Sequence, residues 1–206
     1  MSLESFRVAF FSPMPPSKSG IADYSEALAA EMTKRCCLKT FTNTPASFDP
    51  AAFDIAVYHI GNNPWHAFAY EAALAHPGVV VMHEANLHHL LADITIRRDN
   101  WEGYLAECEY NGGAAALAHA RRVQELEVGP DYEGLPMTRR LLEHARGLVV
   151  HSEFVAREMR RQGFAGPIAV IPHGAWIPQT ERNGTRESLG VDETTPLIGA
   201  FGYLKP

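Results

Sequence analysis

Short apolar runs alternate with stretches of helical periodicity along the chain. Residues 6–11 read as a first strand, built from Phe6, Val8, Ala9, Phe10 and Phe11 around a single arginine. They run into a loop over 12–20 that Pro13, Pro15, Pro16 and Gly20 keep out of regular structure. Ile21, Tyr24, Leu28 and Met32 then recur at helical spacing and predict a helix with one apolar face. Residues 38–41 are a candidate second strand. Residues 54–60 are a stronger third, which Gly61, Asn62, Asn63 and Pro64 end, and a helix is expected over about 65–75. Residues 78–82 are an almost continuous apolar, β-branched run, the pattern of a parallel strand covered on both faces.

The region 86–126 reads mostly as helix, broken or bent at Gly112 and Gly113. Gly129 and Pro130 open a loop, a helix follows over 137–145, and Gly147 stands where a helix C-cap glycine belongs. Residues 148–151 form the next strand. Ser152 suits the N-cap of a helix over 153–162 that Gly163 ends. A further strand over 168–171 is closed by Pro172, His173 and Gly174. A polar stretch over 178–196 leads to a last strand at 197–201.

This order predicts an α/β fold, a Rossmann-like open parallel sheet with helices on both faces. In such sheets ligands bind beyond the carboxyl ends of the strands. Ser19 and Gly20, Asn62 and Asn63, His83 and Glu84, Ser152, and His173 and Gly174 all fall at those ends. Their shared address is the useful signal.

Composition narrows the field. The chain has 206 residues, with 18 Lys plus Arg against 24 Asp plus Glu, a net charge of −6. That balance argues against a nucleic-acid partner, which usually meets a basic face. Cys36, Cys37 and Cys108 are odd in number and lack C-x-x-C spacing, which suits a reducing, cytoplasmic compartment. No basic segment leads into a long apolar run at the N-terminus, and no stretch approaches the roughly 20 apolar residues of a spanning helix.

The candidate chemistry is local. Ser19, Gly20 and Asp23 open a helix whose first N–H groups favour an anion, and glycine lets the anion approach. The same residues also make an ordinary capped helix start. The segment is neither G-x-G-x-x-G nor G-x-x-x-x-G-K-[ST], so neither a dinucleotide fingerprint nor a P-loop is supported. His83 could carry a proton or donate a hydrogen bond, with Glu84 orienting its ring. His88 and His89 read as surface or packing histidines, because neither stands at i+4 from His83 as a zinc-protease helix requires. Asn62 and Asn63 beside Trp65 suit sugar hydroxyls and a sugar face, and equally suit a turn. Ser152 is most simply a cap. No G-x-S-x-G elbow supports a serine hydrolase.

Several segments together resemble glycosyltransferase family 4, the group 1 glycosyltransferases. They are Pro13 to Pro16 with Ser19 to Tyr24; Tyr58 to Asn63; Val79 to Glu84; Val149 to Phe154; Val170 to Gly174; and Phe201 to Pro206. The resemblance covers nearly the whole chain in the family's order. It implies a GT-B architecture of two Rossmann-like domains around a cleft, here an acceptor-side domain over 1–177 and a linker with the first strand of a donor-binding domain over 178–206.

By that resemblance the parent enzyme transfers a hexose, with retention, from a nucleotide-diphosphate sugar to a glycan, lipid-linked or small-molecule hydroxyl. It needs no metal or other cofactor. His83 matches the family's active-site histidine. Glu84 stands where many members have Asp. Gly20 would lie near the donor diphosphate or an acceptor phosphate. Asp23, Asn62 and Asn63 would be acceptor-side candidates, with Ser152, His173 and Gly174 also lining the cleft. Most of the donor site belongs to the second domain, so the 206 residues are expected to be a fragment without transfer activity of its own. Lipid-linked acceptors would imply peripheral membrane contact, although no strongly basic helix speaks for it. Two alternatives stand beside this reading. One is a non-catalytic Rossmann-like module that binds a phosphate or nucleotide. The other is a metal-dependent hydrolase using His83, Glu84, His88 and His89.

Overall fold

The computed structural model describes residues 6–45, 47–174 and 184–199. The chain divides into two compact units, Met1–His173 and Gly174–Pro206. The expected boundary at 177/178 falls on residues outside the described ones.

The first unit is an α/β Rossmann-like open sheet. Its six strands are β1 (Arg7–Phe11), β2 (Cys37–Phe41), β3 (Ile55–Ile60), β4 (Val79–Met82), β5 (Gly147–Val150) and β6 (Ile168–Val170). They pair in the order β2-β1-β3-β4-β5-β6, and every pair is parallel. The chain leaves β1 toward one edge and then returns to β1's other side to begin β3. Strand order therefore reverses between β1 and β3, and loops diverge there to leave a crevice at the carboxyl ends. Right-handed crossovers running in opposite directions from that point put helices on opposite faces of the sheet.

The helices of this unit are α1 (Gly20–Met32), α2 (Ala67–Ala75), α3 (His88–Ile94), α4 (Trp101–Gln124), α5 (Arg139–His144) and α6 (Glu153–Arg161). Ser19 caps α1, accepting from the Ile21 N–H at 3.3 Å, and Ser152 caps α6, accepting from the Val155 N–H at 3.3 Å. Gly163 closes α6 with φ +96°, and Gly113, at φ 68° and ψ −160°, breaks the helical path of α4 where the glycine pair suggested it. A 3-10 turn, Pro64–His66, precedes α2.

Alternate residues of the sheet face two different layers. Ala9, Phe11, Tyr58, Ile60, Val80, Met82, Leu148 and Val150 join a core with Tyr70 of α2, Leu90 and Leu91 of α3, Tyr104 of α4 and Leu141 of α5. Phe10 and His59 meet on the other face, ring centroids 4.6 Å apart, where α1 brings Tyr24 to 5.9 Å from His59. At the β2 side Phe41 stacks on Phe11, Phe48 meets both edge-on, and Phe53 stacks on Phe48, which ties down the β2–β3 connection.

Three expectations need correction. The deepest residues of α1 are Ala22, Ser25 and Ala29, while Ile21, Tyr24, Leu28 and Met32 are only half-buried. Small side chains let a helix axis approach a sheet closely, and the larger ones then spread to either side. Ser25 is tolerated there because its hydroxyl pairs with that of Ser12 at 2.6 Å. Gly147 is no helix cap. It begins β5, where an added Cβ would stand 3.3 Å from Pro167 Cγ, and the cap of α5 is Ala145. Residues 197–199 of the expected last strand have no regular structure, and Ala200 and Phe201 lie outside the described residues, as do Gly202 to Pro206. The described part of the second unit holds one short helix, α7 (Thr185–Ser188).

Gly78, just before β4, marks the tightest backbone approach: an added Cβ would lie 2.4 Å from the Ala56 carbonyl oxygen. That neighbour is backbone of a central strand and cannot step aside. Gly78→Ala is therefore expected to destabilise the protein by about 1–3 kcal/mol, read as a lower urea midpoint at unchanged m-value.

Candidate functional site

Four successive strands of the sheet end in, or run directly to, a histidine. His59 is the penultimate residue of β3; His83 follows β4, His151 follows β5, and His173 lies just beyond β6. Because β3, β4, β5 and β6 are neighbours in that order, their carboxyl ends bring the four rings side by side. The His83 and His151 centroids are 4.8 Å apart, those of His151 and His173 4.6 Å, and those of His59 and His83 5.4 Å. His66, on the turn after β3, adds a fifth ring 6.4 Å from His83.

Tyr24 of α1 packs against four of them, with centroid distances of 5.9 Å to His59, 5.5 Å to His83, 5.4 Å to His151 and 4.4 Å to His173. The close seat of α1 is visible at Gly61 too. An added Cβ there would stand 2.7 Å from Ile21 Cδ1 and 2.9 Å from His66 Nε2, so only glycine fits without displacement.

Hydrogen bonds fix several rings. His66 Nδ1–H donates to the His59 carbonyl at 2.8 Å, and His151 Nδ1–H donates to the Ile171 carbonyl at 2.9 Å. His59 Nδ1 and His83 Nε2 are 3.1 Å apart, one donating to the other. The His83 backbone N–H donates to the Ile60 carbonyl at 3.0 Å, holding the residue in line with β3. Nε2 of His59, His66 and His151 is buried without a hydrogen-bond partner among the described residues.

Burial dominates the electrostatics. It pushes the His59 pKa down to about 3, helped by the neighbouring His66 and His151. It pushes His66 down to about 4 against the opposing pull of the His59 carbonyl. His83 is depressed further, by burial first and then by the other four histidines, because a charge on one ring repels charge on the rest. His151 is lowered by burial as well, with the Ile171 carbonyl opposing. At neutral pH these are uncharged imidazoles, each with one N–H and one lone pair. Such a cluster can hydrogen-bond hydroxyls or phosphate oxygens, or supply lone pairs to a metal ion.

The remaining sequence candidates divide. Gly20 opens α1 and is exposed, and a Cβ there would meet nothing within 4 Å, so local packing does not demand the glycine and the approach to this helix end is open. Asp23 is exposed on its first turn. Glu84 does not orient the His83 ring. Its Oε1 accepts from the Asn62 backbone N–H at 3.3 Å, and His59 meets the ring instead.

Both asparagines serve the fold. Asn62 Oδ1 accepts from the Leu90 N–H at 3.0 Å in the first turn of α3, and Asn63 Oδ1 accepts from the Trp65 N–H at 3.1 Å. Trp65 itself is exposed. The Ser152 hydroxyl is the α6 cap, and Gly174 begins the second unit.

His88 and His89 stand apart from His83. His88 is buried, donating from Nδ1 to the Leu135 carbonyl and accepting at Nε2 from the Tyr104 hydroxyl, both at 2.9 Å; His89 stacks on Tyr132. The set His83, Glu84, His88 and His89 is thus not one site. Among the described residues, the histidines close enough to share an ion are His83, His151 and His173. Sequence reading singled out only His83 and His173 of these.

A cavity of about 300 Å³ lies elsewhere, beside the α4 break, lined by residues that include His88, Tyr104, Cys108, His119 and Asp131. Its polar groups are committed to the protein. His119 Nε2 meets the Gly129 carbonyl, Asp131 Oδ1 accepts from the Gly134 N–H, and burial holds the Cys108 thiol up at about 11. Of the four buried side-chain polar atoms without a hydrogen-bond partner among the described residues, three are at the histidine cluster and the fourth is the Tyr70 hydroxyl.

No family model, curated protein or solved structure matches the chain. The functional reading therefore rests on the geometry of the carboxyl edge.

Two outcomes follow from these environments. Folded His59, His66 and His83 titrate below the ordinary histidine value, so the unfolded chain takes up protons first. Stability is full above about pH 6.5 and falls as the pH drops toward the folded-state values, by up to about 1.4 kcal/mol per pH unit for each histidine. Urea unfolding across that range reads the slope, and a flat profile would refute the neutral cluster. His88→Ala, by contrast, leaves the Tyr104 hydroxyl and the Leu135 carbonyl unpaired beside a new void. It should destabilise by about 2–4 kcal/mol in the same experiment.

Proposed function

We propose that this chain is the acceptor-side domain of a retaining, metal-independent glycosyltransferase, acting on a nucleotide-diphosphate sugar and a glycan, lipid-linked or small-molecule hydroxyl. One observation carries the proposal: His83 stands at the carboxyl end of a central parallel strand, in contact with the first turns of α1, whose N-terminal end at Gly20 is open to a ligand.

Sugar transfer builds positive charge at the anomeric carbon and negative charge on the leaving diphosphate. Preoriented N–H groups at a helix N-terminus and neutral imidazole donors stabilise the second without reorganising during the reaction. Keeping His83 neutral matters here, since a charged ring would compete with the helix end for the phosphates instead of positioning the sugar. A second, donor-binding domain would close over this edge and exclude water, which favours transfer over hydrolysis. Three free cysteines fit a reducing compartment such as the cytoplasm. Among the described residues no helix is long and apolar enough to cross a membrane, and contact with a lipid-linked acceptor would be peripheral.

The open approach to Gly20 also fits a module that binds a phosphate or nucleotide without turnover, and the same experiment separates the two. The full-length protein is assayed against a panel of nucleotide sugars by product mass and calorimetry. Transfer that falls at least about 100-fold in His83→Ala, with the unfolding midpoint retained, supports the enzyme. Nucleotide binding with no product supports the binding module. Full turnover in His83→Ala removes that histidine from the chemistry.

A further inference from the structure

The geometry points to a binding site for one divalent transition-metal ion, of the zinc or cobalt type, held by His83, His151 and His173. This inference does not rest on the transfer reading. Each residue offers one ring nitrogen, and the three nitrogens lie within 4.8 Å of one another. Zinc–imidazole bonds are about 2.0–2.1 Å long, which places tetrahedral ligands about 3.3 Å apart. The rings therefore need to close by no more than about 1.5 Å, and His173, exposed beyond the end of β6, can supply much of that adjustment.

Three further features suit an ion. His151 donates Nδ1–H to the Ile171 carbonyl, so its lone pair is on Nε2, and that atom is buried with no partner among the described residues. A backbone carbonyl fixing the tautomer of a ligating histidine is the usual support around a metal site. His83 Nε2 is hydrogen-bonded to His59 Nδ1, 3.1 Å away; when it donates there its lone pair is on Nδ1, and Tyr24 packs edge-on against both His83 and His151. The exposed side of His173 leaves a fourth position for water or a small ligand, the arrangement of an open rather than a closed site.

The ligand chemistry selects the metal. Neutral imidazoles favour zinc, cobalt, nickel or copper, whereas magnesium and calcium require oxygen ligands. An ion here would occupy a ring nitrogen of His83. Within the transfer reading, zinc would accordingly inhibit the reaction without being required by it.

The test uses the metal-free full chain. Titration with cobalt, followed by visible absorption, and with zinc, followed by calorimetry, should show one ion per chain and the intense bands of four-coordinate cobalt. Magnesium should give no heat. Loss of a supporting residue around a metal site typically costs about 10–100-fold in affinity. Loss of a direct ligand should cost at least about 100-fold, so both His151→Gln and His173→Gln should weaken binding by that factor. Both positions are at strand-end loops, and the unfolding midpoint checks that each variant is folded. His89→Gln should bind as the unaltered chain does. The inference is overturned if cobalt gives only octahedral, weakly coloured binding, if the affinity survives in folded His151→Gln and His173→Gln, or if His89→Gln is the variant that loses it. Zinc binding with no transfer activity in any assay would uphold this site and reject the transfer reading, and transfer activity with no ion bound would do the reverse.

Discussion

Helix α1 reaches the sheet through Ala22, Ser25 and Ala29, and the closeness of that approach sets the conditions for everything at the carboxyl edge. Larger residues in those positions would lift the helix. Tyr24 would then no longer meet the rings from β3, β4, β5 and β6, and Ile21 would leave Gly61. The Ser12–Ser25 hydroxyl pair removes the cost of the one polar group in that contact. Packing of small residues on one face of α1 is thus what gathers four separate strand ends into one group of imidazoles around Tyr24.

Enclosure then dictates the chemistry. A lone exposed histidine would be partly charged near neutral pH. Here the rings of His59, His66 and His83 are largely removed from water and surrounded by others, and both effects oppose charge. The result is that His59, His66, His83 and His151 carry lone pairs and N–H donors without net positive charge. In the proposed reading phosphate attraction falls to the open N-terminal end of α1, and recognition of hydroxyls or an ion falls to the imidazoles. The switch point between β1 and β3 is where a parallel sheet opens such a crevice.

Much of the fold was legible because parallel strands, covered on both faces, are written as continuous apolar runs. All six strands of the first unit lie within a residue or two of where those runs place them. Caps at Ser19 and Ser152, the break at Gly113 and the end of α6 at Gly163 were readable for the same local reason: each is fixed by one residue's backbone preference. The α1 face was misread because hydrophobic periodicity weights large residues, while close approach to a sheet selects small ones.

The site was legible only in part. His83 and His173 were visible as polar residues at strand ends, but His59 and His151 read as members of their strands. Their convergence depends on strand order, which the sequence does not display. A usable signal was nevertheless present, since four apolar runs each carry a histidine at or just beyond their carboxyl end. Of the two readings the asparagines offered, the structure shows the turn role: they accept from the N–H groups of Leu90, in a helix start placed by the tertiary fold, and of Trp65, in a local turn. Glu84 was expected beside its neighbour's ring, yet successive side chains leave an extended chain on opposite sides. The central claim is that His59, His66 and His83 form one enclosed, uncharged group. Ring-nitrogen NMR of the chain, followed from about pH 7 to about pH 5, tests it most directly. The account predicts that His59, His66 and His83 stay neutral throughout while the protein remains folded, with His151 in the Nδ1–H form at the start. Independent protonation of those rings near the ordinary histidine value would contradict it.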